Sequence, residues 1–448
     1  MEMTYPKFTK EMKATHTILI PNMAVTQFRL LKASMESEGY HVEVLGNCGS
    51  QVAQLGLKYV HNDTCYPALL VIGQFLDALN SGKYDLEHTA LAITQTGGGC
   101  RASNYIHQLR KALVKAGYPQ IPVASINFSG LEKDSGLVFT LPLLRKAAAS
   151  IFYGDLLVTL RNQTAPYEVK PGAADALVDH WVRVIGDWIK QGRGFSAREM
   201  KHTFPRMAAQ FAAIPVKRVP KVKVGIVGEI YVKYSPLGNN DLQNFLEKEG
   251  CEVNLPGLMG FVQYCLYNNS ETVRLYGGSL AAQEGPELLL KWLDSVEAAA
   301  CKALADHGYH APARFAHLRT LPNGIIGMGN KMGEGWLLTA EMIELVQAGY
   351  GNIVCAQPFG CLPNHICGKG MINKIRALYP SANITPIDYD PSATRVNQEN
   401  RIKLMLSVAR ERLNDHGSGS AGTPAPVYGQ VKVPGVKVLG LSPAFAEN

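Results

Sequence analysis

Three cysteines recur at a fixed interval in the segment VCAQPFGCLPNHICGKG, where Cys355, Cys361 and Cys367 follow a C-x5-C-x5-C pattern. Cysteine thiolates are the usual ligands of zinc and of iron–sulfur clusters. The spacing matches neither the C-x2-C pairs of a zinc ribbon nor the tight cysteine run of a bacterial ferredoxin. A metal centre that used this segment would therefore take its other ligands from distant parts of the chain.

Composition narrows the class of protein. The chain has 448 residues, 46% of them apolar, and it can bury a large core in two or three domains. It shows no leading secretory segment and no apolar run of about 20 residues, so we expect a cytoplasmic protein without a membrane partner. In that reducing compartment the nine cysteines are either packed thiols or ligands. The net charge of +7 is dispersed along the chain, which argues against a nucleic-acid partner.

The elements that would position these cysteines follow an α/β rhythm. Short β-branched runs such as HTILIP (16–21) and HVEVLG (41–46) alternate with segments of helical periodicity. The pattern predicts two α/β domains with parallel sheets, joined by a helical connection. If their cysteine-bearing loops face each other, they would form a sulfur-rich metal site in the cleft between the domains. The expected boundaries are an amino-terminal domain (1–165), the connection (166–216), a carboxyl-terminal domain with a helical insertion (217–414) and a flexible Gly/Pro/Ser-rich tail (415–448).

Several cysteines fall where an α/β sheet binds ligands. Cys48, Cys100 and Cys355 are each expected at the carboxyl end of a strand, the edge at which open α/β sheets hold their ligands. Cys65 is expected at a helix amino terminus, where the helix dipole stabilises a thiolate. Cys361 lies in a Gly/Pro-rich loop. The alternative is that these are ordinary buried thiols, which we expect instead for Cys251, Cys265 and Cys301.

Glycines beside the cysteines suit a bulky cofactor. Gly98, Gly99 and Gly360 allow the backbone to approach a large group and to point N–H groups at it.

Three polar residues are further candidates. Glu229, Lys233 and His365 could line a substrate pocket, or they could be ordinary loop residues. The Gly-rich segment at 327–342 could hold a phosphate at a helix amino terminus, or it could be a turn that caps the helix.

Four separated motifs carry a family resemblance, and they occur in the same order: HNDTCYPALLVIGQ, TQTGGGCRASNYI, GEIYVKYSPLGNNDL and VCAQPFGCLPNH followed by GKGMI and IDYDPSA. From about residue 5 to 413 the chain resembles the carboxyl-terminal portion of the large activase-related proteins of the 2-hydroxyacyl-CoA dehydratase family.

The resemblance implies two Rossmann-like or flavodoxin-like α/β domains with a cysteine-ligated iron–sulfur cluster between them. This cluster would be reduced by an ATP-hydrolysing activator that carries its own [4Fe-4S] cluster. In this superfamily the dehydratases use a [4Fe-4S] cluster for ketyl-radical elimination of water, and the double-cubane proteins use an [8Fe-9S] centre to reduce small molecules. The large relatives carry the ATPase on the same chain, whereas no such module is recognised here. The symmetry of the activator raises homodimerisation as one possible assembly.

The matching cysteines in the motifs are Cys65, Cys100, Cys355 and Cys361, which the resemblance implies as ligands. Cys48 and Cys367 lie outside the motifs. With them the count reaches six, the number of thiolates that two cubanes joined by a sulfide require.

The resulting hypothesis is an iron–sulfur reductase component that takes low-potential electrons from the activator and reduces a small substrate at a double-cubane or [4Fe-4S] cluster. One alternative is a 2-hydroxyacyl-CoA dehydratase subunit that works by a ketyl-radical mechanism. A second alternative is an electron-carrier domain that serves another protein.

Overall fold

Two four-stranded sheets, both parallel throughout, form the framework of the protein. This computed structural model describes residues 5–61, 63–126 and 136–417. The strands of the first sheet are β1 (Thr17–Ile20), β2 (His41–Val44), β3 (Thr89–Thr94) and β4 (Val123–Ile126). Those of the second are β5 (Lys223–Gly228), β6 (Glu252–Asn254), β7 (Asn352–Pro358) and β8 (Asn383–Tyr389).

Both sheets have the same strand order, β2-β1-β3-β4 in the first and β6-β5-β7-β8 in the second. Parallel neighbours require crossover connections, and helices provide them in both halves. The two α/β halves that the sequence predicts are thereby confirmed. In each sheet the connections after the two central strands run to opposite sides of the sheet. With this strand order a crevice opens between them, beyond the carboxyl ends of the two central strands.

Helices cover both sheets and fill the connection between them. The helices of the first half are α1 (Val25–Glu36), α2 (Ser50–Tyr59), α3 (Tyr66–Asn80) and α4 (Tyr105–Ala116). The linking helices are α5 (Leu141–Thr164), α6 (Ala173–Lys190) and α7 (Ala197–Ala212). The helices of the second half are α8 (Ile230–Tyr234), α9 (Leu242–Lys248), α10 (Leu258–Tyr276), α11 (Leu280–Asp306), α12 (Phe315–Leu318), α13 (Trp336–Gln347), α14 (Ile372–Leu378) and α15 (Arg395–Gly417). Residues 418–448 of the expected flexible tail lie outside the described residues.

The linking helices and the helical insertion share one hydrophobic core. Trp181 of α6 and Phe204 of α7 are buried with Val296 of α11 in the same cluster. A capping box fixes the start of α7. The Ser196 hydroxyl accepts from the amide of Glu199, and the Glu199 carboxylate accepts from the amide of Ser196. The insertion therefore packs against the connection.

Helix α3 is buried between the two halves. All of its residues except Asp77 and Asn80 are buried. Its first amide, from Tyr66, donates to the carbonyl oxygen of Phe359 just beyond β7 (2.9 Å). Among the described ranges, no helix combines the length and the apolar character needed to cross a membrane. The apolar surface of α3 is instead covered by a core that contains strands of both sheets.

Candidate functional site

Cys100 and Cys361 occupy corresponding positions in the two halves. Cys100 follows β3 after the glycines at 97–99, and Cys361 follows β7 after Phe359 and Gly360. Both loops therefore leave the carboxyl end of a central strand, beside the crevice of their sheet. Gly98 has φ 70° and Gly360 has φ 75°, which lie in the left-handed region that glycine adopts without a steric penalty.

Cys65 joins these two cysteines from a third loop. It is the N-cap residue of α3, and Pro67 in the first turn favours the start of the helix there. A Cβ atom added to Gly360 would lie 3.0 Å from the Cα of Cys65, so the loop before Cys361 lies directly against Cys65. The sulfur of Cys65 also shares a hydrogen bond with the hydroxyl of Tyr105 (2.8 Å). We call Cys65, Cys100 and Cys361 the cysteine trio.

Burial removes water from the three thiols of the trio, and charge on one thiol affects the ionisation of another. Burial raises the pKa of the Cys65 thiol to about 11 and that of the Cys100 thiol to about 12. Burial also raises the pKa of Cys361, and negative charge on Cys100 adds to that rise. Without a cation these thiols are therefore protonated at neutral pH, and a bound metal would have to displace their protons.

Two glutamates, the buried Glu334 and the half-buried Glu229, face the same region, and we call them the carboxyl pair. Negative charge on either glutamate raises the pKa of the Cys100 and Cys361 thiols, and in each case Glu334 raises it more than Glu229 does. Burial first, and Glu334 second, raise the pKa of Glu229 to about 8. Glu229 is the N-cap of α8, where its Oε2 accepts from the amide of Val232 (2.9 Å).

The loop before α13 connects the two cysteine loops. The sulfur of Met332 accepts from the amide of Gly99 (3.2 Å), beside Cys100. A Cβ atom on Gly333 would lie 3.1 Å from the ring of Pro363, close to Cys361 in sequence. Glu334 follows directly, and its Oε1 accepts from the amide of Ile230 (2.9 Å). The sequence left open a phosphate cradle or a turn that caps the helix. The structure shows a turn at 333–335 with Gly335 as the N-cap of α13, and this turn lies beside the trio.

Cys355 lies apart from the trio. The sequence suggested that it ends a strand, but β7 continues to Pro358 and Cys355 lies in its interior. It is fully buried with Val227 and Ile353 in a hydrophobic cluster of the second half. The strand is longer than expected because β7 remains paired with β8 up to Pro358.

Cys48 and Cys367 differ from each other, because Cys48 is exposed whereas Cys367 is buried and, like the trio, is influenced by Glu334. Cys48 is exposed after β2, an edge strand of the first sheet. Cys367 is buried in a short π-helical turn at Asn364–Gly368, and its carbonyl accepts from the Thr339 hydroxyl (2.7 Å). Burial raises the pKa of the Cys367 thiol to about 11, and Glu334 adds to the rise.

Of the three cysteines expected to be packed, Cys251 is buried, Cys301 is half-buried and Cys265 is exposed. The expectation was wrong for Cys265, which lies on α10. Desolvation by surrounding protein still raises the pKa of its thiol to about 12, with Glu334 adding to the rise. The apolar neighbours in FVQYCLY gave no sequence signal for its exposure.

The two other residues predicted to line a substrate pocket, Lys233 and His365, differ in burial and in their partners. Lys233 is buried, and its ammonium group contacts both carboxylate oxygens of Glu341 (2.9 and 3.1 Å). This ion pair occupies the lysine, so it has a structural partner. His365 is exposed, and its ring contacts the side-chain amide of Gln357.

Within the described residues, no group of three or more His, Cys, Asp or Glu side chains is arranged to hold a metal ion. No protein-family model and no curated protein matches the chain.

Proposed function

We propose that the protein is an iron–sulfur reductase component that binds a cluster through the cysteine trio and uses it to reduce a small substrate. The observation that carries this proposal is that the loops of three cysteines, from both α/β halves, meet beside the carboxyl pair. Gly360, before Cys361, lies against Cys65, and Met332, near Glu334, contacts the loop of Cys100. A single ion gathers its ligands around one point, whereas a cluster of several irons separates them more widely. The donor set, which is thiolate from separate loops, fits an iron–sulfur cluster.

The number of convergent thiols supports a single [4Fe-4S] cluster over an [8Fe-9S] double cubane. Three thiolates would hold three irons and leave one without a cysteine ligand. A double cubane would need Cys48, Cys355 and Cys367 as well, but Cys355 lies in a hydrophobic cluster and Cys48 is exposed after an edge strand.

When bound, such a cluster would supply low-potential electrons, which we propose come from an ATP-hydrolysing [4Fe-4S] activator. The protein's own contribution would be to hold the sulfurs in a desolvated crevice and to place the carboxyl pair beside them. Because Glu229 stays protonated up to about pH 8, it would be a local proton donor at neutral pH. Reduction of a small molecule consumes protons as well as electrons, so a protonated acid next to the site suits that chemistry.

A dehydratase subunit is the second candidate. Three thiolates leave one iron open, as direct coordination of a 2-hydroxyacyl-CoA would require. A calorimetric titration of the iron-loaded protein with acyl-CoA thioesters separates the candidates, because the reductase hypothesis expects no binding.

An electron-carrier domain is the third candidate, and it rests on exposed apolar residues near Cys361. Phe359, Leu362 and Ile366 are 48%, 65% and 49% exposed. Reduction of a partner protein, with no small molecule reduced in the presence of activator, ATP and reductant, would favour this candidate.

The proposal is tested by iron and sulfide quantitation with low-temperature EPR on anaerobically prepared protein. We expect about four irons per chain, and we expect Cys65→Ser, Cys100→Ser and Cys361→Ser each to lose most of the iron. Cys251→Ser is the matched control, since Cys251 is buried but lies before β6, at the opposite end of the second sheet. Wild-type protein that stays free of iron, or iron that survives all three trio substitutions, would refute the proposal.

A further inference from the structure

The identical strand order of the two halves makes individual positions comparable. In each half one helix immediately precedes the third strand: α3 precedes β3, and α13 precedes β7. Both helices are buried over nearly their whole length. Cys65 is the N-cap of α3, and Glu334 lies directly before Gly335, the N-cap of α13. Glu334 thus stands in the second half close to where Cys65 stands in the first.

The third strands strengthen this correspondence. Cys100 and Cys361 follow β3 and β7, as described above. The first half therefore contributes a cysteine before its buried helix and another after its third strand. The second half contributes Glu334 and Cys361 at the same two places. If each half contributes one ligand before its buried helix and one after its third strand, the site has four ligands: the cysteine trio and Glu334.

The contacts of the neighbouring residues place Glu334 between the loops of the trio. Met332 touches the glycine loop that leads to Cys100, and Gly333 touches the proline that follows Cys361. The Glu334 side chain is 5% exposed. A buried carboxyl group without a partner of opposite charge holds a proton instead of ionising, and the nearby lysine, Lys233, is ion-paired with Glu341. A bound cation would take the place of that proton.

We propose that Glu334 is the fourth protein ligand of the metal group held by the cysteine trio, an inference that rests on the function proposed above. A carboxylate oxygen binds iron less tightly than a thiolate sulfur does. One iron would then be distinct from the other three and would be the position at which an incoming small molecule displaces the protein ligand.

Anaerobic protein loaded with ⁵⁷Fe tests the assignment without reference to activity. Mössbauer spectra should show one iron in four with an oxygen-type ligand environment in the wild type, and this signal should be lost in Glu334→Cys, which would complete a four-thiolate site. Oxidation by ferricyanide should release that iron to leave a three-iron EPR signal. We expect this release to be about tenfold slower in Glu334→Cys and faster in Glu334→Gln.

The matched control is Glu344→Gln. Glu344 is also a buried glutamate of α13, but its Oε1 accepts from the amide of Ala313, far along the helix from the trio. If Glu334→Gln does not fold, Glu334→Cys and Glu334→Asp carry the comparison. Iron-loaded Glu334 variants with the spectrum and release rate of the wild type would overturn the ligand assignment alone. A wild-type protein that binds no iron would overturn the assignment together with the proposed function.

Discussion

Among single residues, Cys355 and Cys361 show that the surroundings of a cysteine, and not its spacing in the sequence, decide its role. Both lie in the segment whose regular spacing suggests a compact motif, yet Cys355 is fully buried in a hydrophobic cluster and Cys361 lies beside the carboxyl pair. Aligning the halves on their third strands, with Gln95 opposite Gln357, sets Ile93 opposite Cys355. Ile93 is likewise buried in a strand, which fits a packing role for Cys355.

Replacing Cys355 by alanine should therefore leave the iron content unchanged and lower the stability. Removing the buried sulfur should cost about 1–2 kcal/mol in the free energy of unfolding, within the usual range for a core truncation. Iron analysis and a denaturant titration measure the two effects. Loss of iron comparable with that in Cys361→Ser would instead identify Cys355 as a ligand.

The carboxyl pair predicts a dependence of stability on pH in the metal-free protein. Burial and Glu334 raise the pKa of Glu229 from 4.5 to about 8. Between those values the folded protein holds a proton that the unfolded chain has released, so the free energy of unfolding falls as the pH rises. One such proton gives a slope of at most about 1.4 kcal/mol per pH unit.

Thermal melts between pH 5 and 8 should show this fall for the metal-free wild type and a shallower one for Glu229→Gln. Glu87→Gln serves as the control because Glu87 is exposed. Equal slopes in the wild type and in Glu229→Gln would show that Glu229 ionises as an ordinary carboxyl group.

At the scale of elements, the helix that carries Cys65 is positioned by two glycines. A Cβ atom on Gly56 of α2 would lie 2.2 Å from the carbonyl oxygen of Leu69, and one on Gly73 of α3 would lie 2.0 Å from that of Val52. Both distances are far shorter than van der Waals contact, so α2 and α3 approach as closely as they do only because these positions lack side chains.

Gly56→Ala and Gly73→Ala should each destabilise the protein by about 1–3 kcal/mol, because the helices must separate. Gly260→Ala in α10 is the control, since a Cβ atom there meets no atom within 4 Å. That substitution should be neutral or stabilise by up to about 1 kcal/mol. Denaturant midpoints measure all three, and a similar change at every site would contradict the close-packing explanation.

Much of this element structure could be predicted from the sequence. Helix α3 (Tyr66–Asn80) begins directly after Cys65, as the sequence predicts, because a Pro in the first turn and a largely apolar run mark its start clearly. The end of β7 could not be predicted from the sequence. A proline usually interrupts a strand, but here Pro358 forms the last residue of β7. The approach of Glu334 to the trio depends on long-range packing, for which the local pattern at 327–342 gave no signal.

In the whole molecule, the two halves share one hydrophobic core and should open together. The largest cluster joins α3 and β3 of the first half to β5, β7 and α15 of the second. Amides of α3 and of β7 should therefore fall into the same, slowest class in native-state hydrogen exchange, since local openings follow cooperative units. Faster exchange in α3 than in β7 would mean that the halves open independently.

The hydrogen bond from Tyr66 to Phe359 has a consequence for biosynthesis. Helix α3, which is largely apolar, leaves the ribosome long before the strand next to its first turn has been made. At ordinary rates of translation this interval is on the order of tens of seconds. Throughout it the apolar surface that later packs on the second half stays exposed. The efficient production of this protein in a cell should therefore depend on a chaperone that shields the first half until the second is complete.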